Sequence, residues 1–174
     1  MSRRKNRKSP VAAICSVLGT VLLVILVLAC IPLTVPKVFG YHIYTVISGS
    51  MAPAIPTGSL VYIKNLPADD IQKEDVIAFY GEMDTTSIIT HRVVSNSKNM
   101  GQFITKGDAN KEKDMNPVKY DNYIGKVVLS VPVVGGIAQT FTEGWGRLLA
   151  VCCIGIAVLL EIVAAVLGRE REED

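Results

Sequence analysis

The chain holds only two histidines, His42 and His91, and four cysteines, Cys15, Cys30, Cys152 and Cys153, among its 174 residues. Every cysteine lies inside one of two long apolar runs, so the stretch between those runs has none. That middle stretch cannot be stapled by disulfides, offers no cysteine nucleophile and lacks the His/Cys spacings of a metal centre. A surplus of one charge is also lacking. Lys37 to Gly146 carries ten Lys and Arg against eleven Asp and Glu, a balance that gives a nucleic-acid backbone nothing to hold. The formal excess of +2 sits in the tail SRRKNRKSP. The middle stretch shows no ten-residue amphipathic helix, internal repeat or low-complexity linker. Neither a metal, a cofactor nor a nucleic-acid partner is expected.

What the chain does have is apolar length. Its apolar fraction of 49% and mean hydropathy of +0.36 are too high for an ordinary soluble domain of this size. Val11 to Val35 carries no charge, and Leu148 to Gly168 carries only Glu161. Roughly 20 apolar residues cross a hydrocarbon core of about 30 Å, so both runs are long enough. The first exceeds the apolar core of a cleaved signal peptide. Cys30 closes a VLAC resembling a lipoprotein-processing box, but Leu28 fits that box poorly. Arg3, Arg4, Lys5, Arg7 and Lys8 flank the first run and place the N-terminus in the cytoplasm. The expected order is a basic tail (1–10), a span (11–34), an extracytoplasmic domain (37–146), a second span (147–168) and an acidic cytoplasmic tail (169–174). Pro32, Pro36 and Gly40 are expected to end the first helix and open an extended segment. Glu161 either sits shallow in its span or contacts a partner helix.

The middle domain reads as β. YHIYTVIS, SLVYIKN, DVIAFYG, SIITHRVVS, GQFITKGD and YIGKVVLSVP are short runs rich in Val, Ile, Tyr, Thr and Phe, divided by Gly, Pro, Asn or Asp. Six such runs predict a folded-over sheet or barrel. The fold class is therefore mainly β, with a β domain flanked by two transmembrane helices.

After the first β run comes VISGSMAPAIPTGSL, Val46 to Leu60. Ser, Gly and Pro suit a turn. Small hydroxyls at a strand end equally suit a nucleophile, which needs a base, an orienting acid and an oxyanion site from elsewhere in the chain. In SIITHRVVS, strand alternation puts Ile89, His91 and Val93 on one face. A lone histidine there reads as a structural residue or as a general base. Asp69, Asp70, Glu74 and Asp75 read as a solvated turn, and so does the loop holding Asp108, Asp114 and Asp121, unless the sheet needs a carboxylate.

SGSMAPAI, THRV and TKGDANKEKD occur in that order, embedded in β runs after a membrane anchor. The chain thereby resembles the type I signal peptidases over roughly Tyr41 to Gly136, in the branch of the endoplasmic reticulum, the archaea and the W-type enzyme of spore-forming bacteria. His91 marks that branch, because the common bacterial one has Lys on the equivalent strand. The resemblance implies a membrane-bound serine endopeptidase that removes signal peptides from exported preproteins. It implies Ser50 as nucleophile, His91 as general base, Asp114 as the acid orienting the imidazole and Asp108 as a supporting acid. The Ser48 hydroxyl and the Ser50 backbone N–H would form the oxyanion site. KEKDMNP departs from the family's usual run near the second acid, so the two aspartates could exchange roles. The implied partners are preprotein signal peptides and the lipid bilayer, with room for membrane partner subunits. The rival reading is a non-catalytic, membrane-tethered β module for binding or assembly.

Overall fold

The computed structural model describes residues 10–81, 87–142 and 145–169. These divide into two compact units: Thr34–Gln139, and the residues up to Leu33 together with those from Thr140 onward.

The second of these units is helical. Helix α1 runs Pro10–Val38 and α3 runs Trp145–Arg169, separated in sequence by the shorter α2, Val134–Thr142. At 1.5 Å per residue, α1 and α3 are about 43 and 37 Å long, enough to cross a bilayer. Helix α1 starts on a proline, whose missing N–H costs nothing in a first turn. It then continues through Pro32 and Pro36, where the sequence predicted its end. Each proline removes an amide donor and crowds the carbonyl four residues before it, and long apolar helices tolerate such breaks where local adjustment satisfies the freed carbonyl. Within this unit α1 meets α3 through small residues. Ala12, Gly19 and Ala157 are buried, and a Cβ on Gly19 would lie 3.2 Å from the Ala157 carbonyl and 2.9 Å from Glu161 Oε1. The Thr20 hydroxyl donates to Glu161 Oε1 at 2.8 Å. Glu161 thus satisfies its carboxyl against the chain's own first helix.

The other unit is mainly β, as expected. Strands β1 (Tyr41–Thr45), β2 (Leu60–Lys64), β3 (Val76–Tyr80), β4 (Ile88–Ser97), β5 (Gln102–Lys106), β6 (Val118–Lys119) and β7 (Tyr123–Val131) form one antiparallel sheet in the order β1-β2-β7-β3-β4-β5-β6. The six predicted runs fall on six of these strands. Strand β6 has two residues, too few for any alternation to show. Helix α2 was not expected, because Gly135 and Gly136 weaken helix propensity. Gly135 is there for close approach, since a Cβ on it would lie 2.6 Å from the Ser59 carbonyl oxygen, and beside it the Gly136 N–H donates to the Gly58 carbonyl at 2.9 Å.

Strand β3 buries both its faces. Ala78 packs with Val46, Met51, Ile55, Val61 and Ile63 in one core, while Ile77 and Phe79 pack with Ile71, Val93, Phe103 and Val118 in another. Each of the larger of these side chains contributes about 1.5–3 kcal/mol on burial. The first core anchors the loop after β1; the second supports the middle of β4. Those are the elements that carry the serines and the histidine.

Candidate active site

The loop between β1 and β2 is held at both ends. The Val46 N–H donates to the Ser59 carbonyl at 2.9 Å and the Gly58 N–H to the Val46 carbonyl at 2.8 Å, closing the loop like a hairpin. Met51, 1% exposed, and Ile55, 5% exposed, are driven into the core below, and the Ile55 N–H bonds the Met51 carbonyl at 2.8 Å. Pinning Met51 leaves its neighbours at the surface. Ser48 is exposed and Ser50 half-buried, with their hydroxyl oxygens 3.3 Å apart. The turn reading and the nucleophile reading of this stretch therefore coexist: the turn presents two hydroxyls side by side.

His91 sits on β4 opposite Ile77, its ring edge-on to Phe79 at 6.1 Å, and is 8% exposed. Its Nδ1 is 2.6 Å from Asp114 Oδ2. An ionised carboxylate can only accept, so Nδ1 carries a proton, and it is in the neutral ring that Nε2 keeps its lone pair. Arg92, the next residue, points to the other face as alternation requires. Its Nε and Nη2 meet the two oxygens of Asp108 at 2.8 and 2.6 Å, and its Nη1 donates to the Glu74 carbonyl at 2.8 Å. The hydrogen bonds with Asp108 push the guanidinium above the usual arginine value, against the opposing effect of burial.

Gly107, just past β5, lies between the serine loop and the imidazole. A Cβ there would be 2.7 Å from the Ser50 carbonyl oxygen, 2.8 Å from Asn110 Nδ2 and 3.0 Å from His91 Nε2. The Ser50 carbonyl and His91 Nε2 are thus no further apart than the sum of the first and last of these distances. The Ala109 N–H donates to the Ser50 carbonyl at 2.9 Å and ties the two loops together. A cleft of about 430 Å³ opens alongside, with His91 and Asp114 on a wall shared with Phe79, Ile89, Met115 and Val118. Among the described residues, no three His, Cys, Asp or Glu side chains gather into a metal-holding group.

Of the residues singled out from the sequence, Ser50 and His91 flank Gly107, Ser48 stands beside Ser50, Asp114 meets His91, and Asp108 is directed at Arg92 instead of at the imidazole. Thr105 was missed. Its buried hydroxyl donates to Asp114 Oδ2 at 2.6 Å, the same oxygen that meets His91. A signal was present, since alternation along β5 turns Thr105 inward with Phe103, and an inward hydroxyl needs a partner. Arg92 was missed as the partner of Asp108, because Arg92 lies on β4 and Asp108 in the loop after β5, and only the pairing of those two strands brings them together.

A signal peptidase I W from Bacillus subtilis is 42% identical to the chain over 90 residues, which are 50% of this chain and 46% of that protein. A signal peptidase complex catalytic subunit SEC11 from Pyricularia oryzae is 30% identical over 131 residues, covering 68% of the chain and 75% of that subunit. The chain belongs to the type I signal peptidases. Within that family it sides with the W-type and endoplasmic-reticulum branch, as the SEC11C catalytic subunit of Canis lupus familiaris, 32% identical over 103 residues and 53% of each chain, also indicates. The match spans just under half the length of the Bacillus relative. No family model matches the chain. The two long apolar helices fit membrane attachment.

Proposed function

We propose that the chain is a membrane-bound serine endopeptidase that cuts signal peptides from exported preproteins, with Ser50 as nucleophile and His91 as general base. The observation that carries this reading is the placement of His91, with Nδ1 held by Asp114 and Nε2 turned toward the Ser50 loop across Gly107. Ser50 Oγ attacks the scissile carbonyl while His91 Nε2 takes its proton. The tetrahedral adduct collapses as His91 returns that proton to the leaving amine, and water then releases the acyl group by the same two transfers. Asp114 accepts the Nδ1 proton and holds the tautomer that leaves Nε2 basic. Asp108 supports the site at one remove, since its fork onto Arg92 steadies the loop that begins at Gly107. The Ser48 hydroxyl, 3.3 Å from Ser50 Oγ, and the Ser50 N–H are the oxyanion donors.

The preprotein would bind in extended form beside exposed strand edge. Strand β1 ends the sheet, and β5 pairs with β4 only from Arg92 onward. Both termini would be cytoplasmic and the β domain extracytoplasmic, following the basic tail, which lies outside the described residues. The test is cleavage of a reporter preprotein in vesicles, with N-terminal sequencing of the product. Ser50→Ala and His91→Ala should each abolish processing while the protein stays folded and membrane-bound. Wild-type cleavage by Ser50→Ala would refute Ser50 as the nucleophile, and a wild-type chain that cuts no preprotein would leave the reading of a tethered binding module.

A further inference from the structure

We infer that Thr105 is a positioning residue for this site, its hydroxyl fixing the angle at which the Asp114 carboxylate meets His91; the inference rests on the reading of Ser50, His91 and Asp114 proposed above. Thr105 and Phe103 alternate to the same side of β5, and both are fully buried at 0% exposure. Across the sheet Thr105 faces Val93, also 0% exposed. In such surroundings an unbonded hydroxyl is costly, and valine has the same shape without that cost. The hydroxyl is used: it donates to Asp114 Oδ2 at 2.6 Å, beside the 2.6 Å approach of His91 Nδ1 to the same atom.

Thr105 grips residue 114 twice, because its carbonyl also accepts the Asp114 N–H at 2.9 Å. The backbone bond places the residue; the hydroxyl places its carboxylate. An aspartate χ2 is broad, so one partner alone leaves the carboxylate free to rotate. A second donor on a β-branched, χ1-stiff side chain removes that freedom. Thr105 reaches no reacting atom. Its effect passes through Asp114 to His91, so it falls on proton transfer and leaves substrate binding alone.

The experiment compares kcat and KM of the full chain in lipid vesicles on a reporter preprotein, for wild type, Thr105→Val, Thr105→Ser, Thr105→Ala and Ser50→Ala. Losing a hydrogen bond to a charged group predicts a fall in kcat of about 10- to 100-fold for Thr105→Val, with KM within about twofold. Thr105→Ser, which keeps the hydroxyl, should stay within about threefold of wild type. If Thr105→Val does not fold, Thr105→Ser against Thr105→Ala makes the same comparison at nearly equal volume. A Thr105→Val kcat near wild type, or a serine variant as impaired as the variants lacking the hydroxyl, overturns the inference. Either result beside an inert Ser50→Ala removes the role of Thr105 alone, whereas an active Ser50→Ala removes the reading on which it rests.

Discussion

Gly107→Ala is the sharpest perturbation the geometry offers. The added methyl would lie 2.7 Å from the Ser50 carbonyl oxygen, 2.8 Å from Asn110 Nδ2 and 3.0 Å from His91 Nε2. Asn110 is exposed and can swing away. The Ser50 carbonyl is backbone, held by the Ala109 N–H at 2.9 Å, and the imidazole is held by Asp114 at 2.6 Å. Relief therefore requires several tenths of an ångström of movement between the two groups whose spacing matters most. Overpacking of this kind costs about 1–3 kcal/mol of stability, which a domain with two cores can absorb. A displacement approaching 1 Å at reacting atoms costs about 100-fold in rate. The variant should thus fold, insert and bind preprotein with nearly unchanged KM, while kcat falls about 100-fold. Single-turnover cleavage in vesicles, with a thermal melt beside it, reads both quantities. A kcat within about threefold of wild type in a folded Gly107→Ala variant would refute the placement of Gly107 between serine and histidine.

Three further outcomes are expected. Ser48→Ala should lower kcat about 10²–10³-fold with little change in KM, as loss of an oxyanion donor does, and steady-state cleavage of the reporter reads it. Asp114→Asn should cost about 10⁴-fold in kcat by favouring the wrong imidazole tautomer, whereas Asp108→Asn should cost far less in rate and show mainly as a lower melting temperature; equal rate losses would mean the two acids had been assigned the wrong way round. Tyr123 gives a pH dependence of stability: burial first, then the nearby Asp75 charge, push its phenol from 10.0 up to about 12. Because the folded value is raised, its stabilising effect is complete below pH 10 and is lost as pH rises through about 12. Urea midpoints at pH 9 and pH 12 should fall less in Tyr123→Phe than in wild type.

Much of this was legible in the chain because its signals are local. Apolar length marked both long apolar helices, and β-branched runs between turn residues marked six of the seven strands. The stretch VISGSMAPAIPTGSL and the THR motif stand out because each is one short contiguous segment, the first after β1 and the second on β4. What was hidden depends on long-range closure. Nothing near Glu161 in sequence foretells Thr20, which lies 141 positions away and reaches it only when two helices pack. Thr105 and Asp114 are nine positions apart, yet their bond depends on how the loop after Gly107 returns to β5. The departure of KEKDMNP from the family pattern left an exchange of Asp108 and Asp114 open on paper; their contacts differ because His91, which meets Asp114, and Arg92, which meets Asp108, face opposite ways on β4. Helix α1 outlasted its prolines because a breaker tolerated in an apolar span looks the same, in sequence, as one that ends a helix.

The central claim is that the Ser50 hydroxyl and the His91 imidazole work as one unit. Its most direct test is the cleavage rate of the double variant Ser50→Ala/His91→Ala, set against each single variant in the same vesicles. Groups that act together lose everything at the first deletion, so the double variant should be no slower than either single one. Losses that multiply in the double variant, or a single variant that still cuts at an appreciable fraction of the wild-type rate, would contradict it.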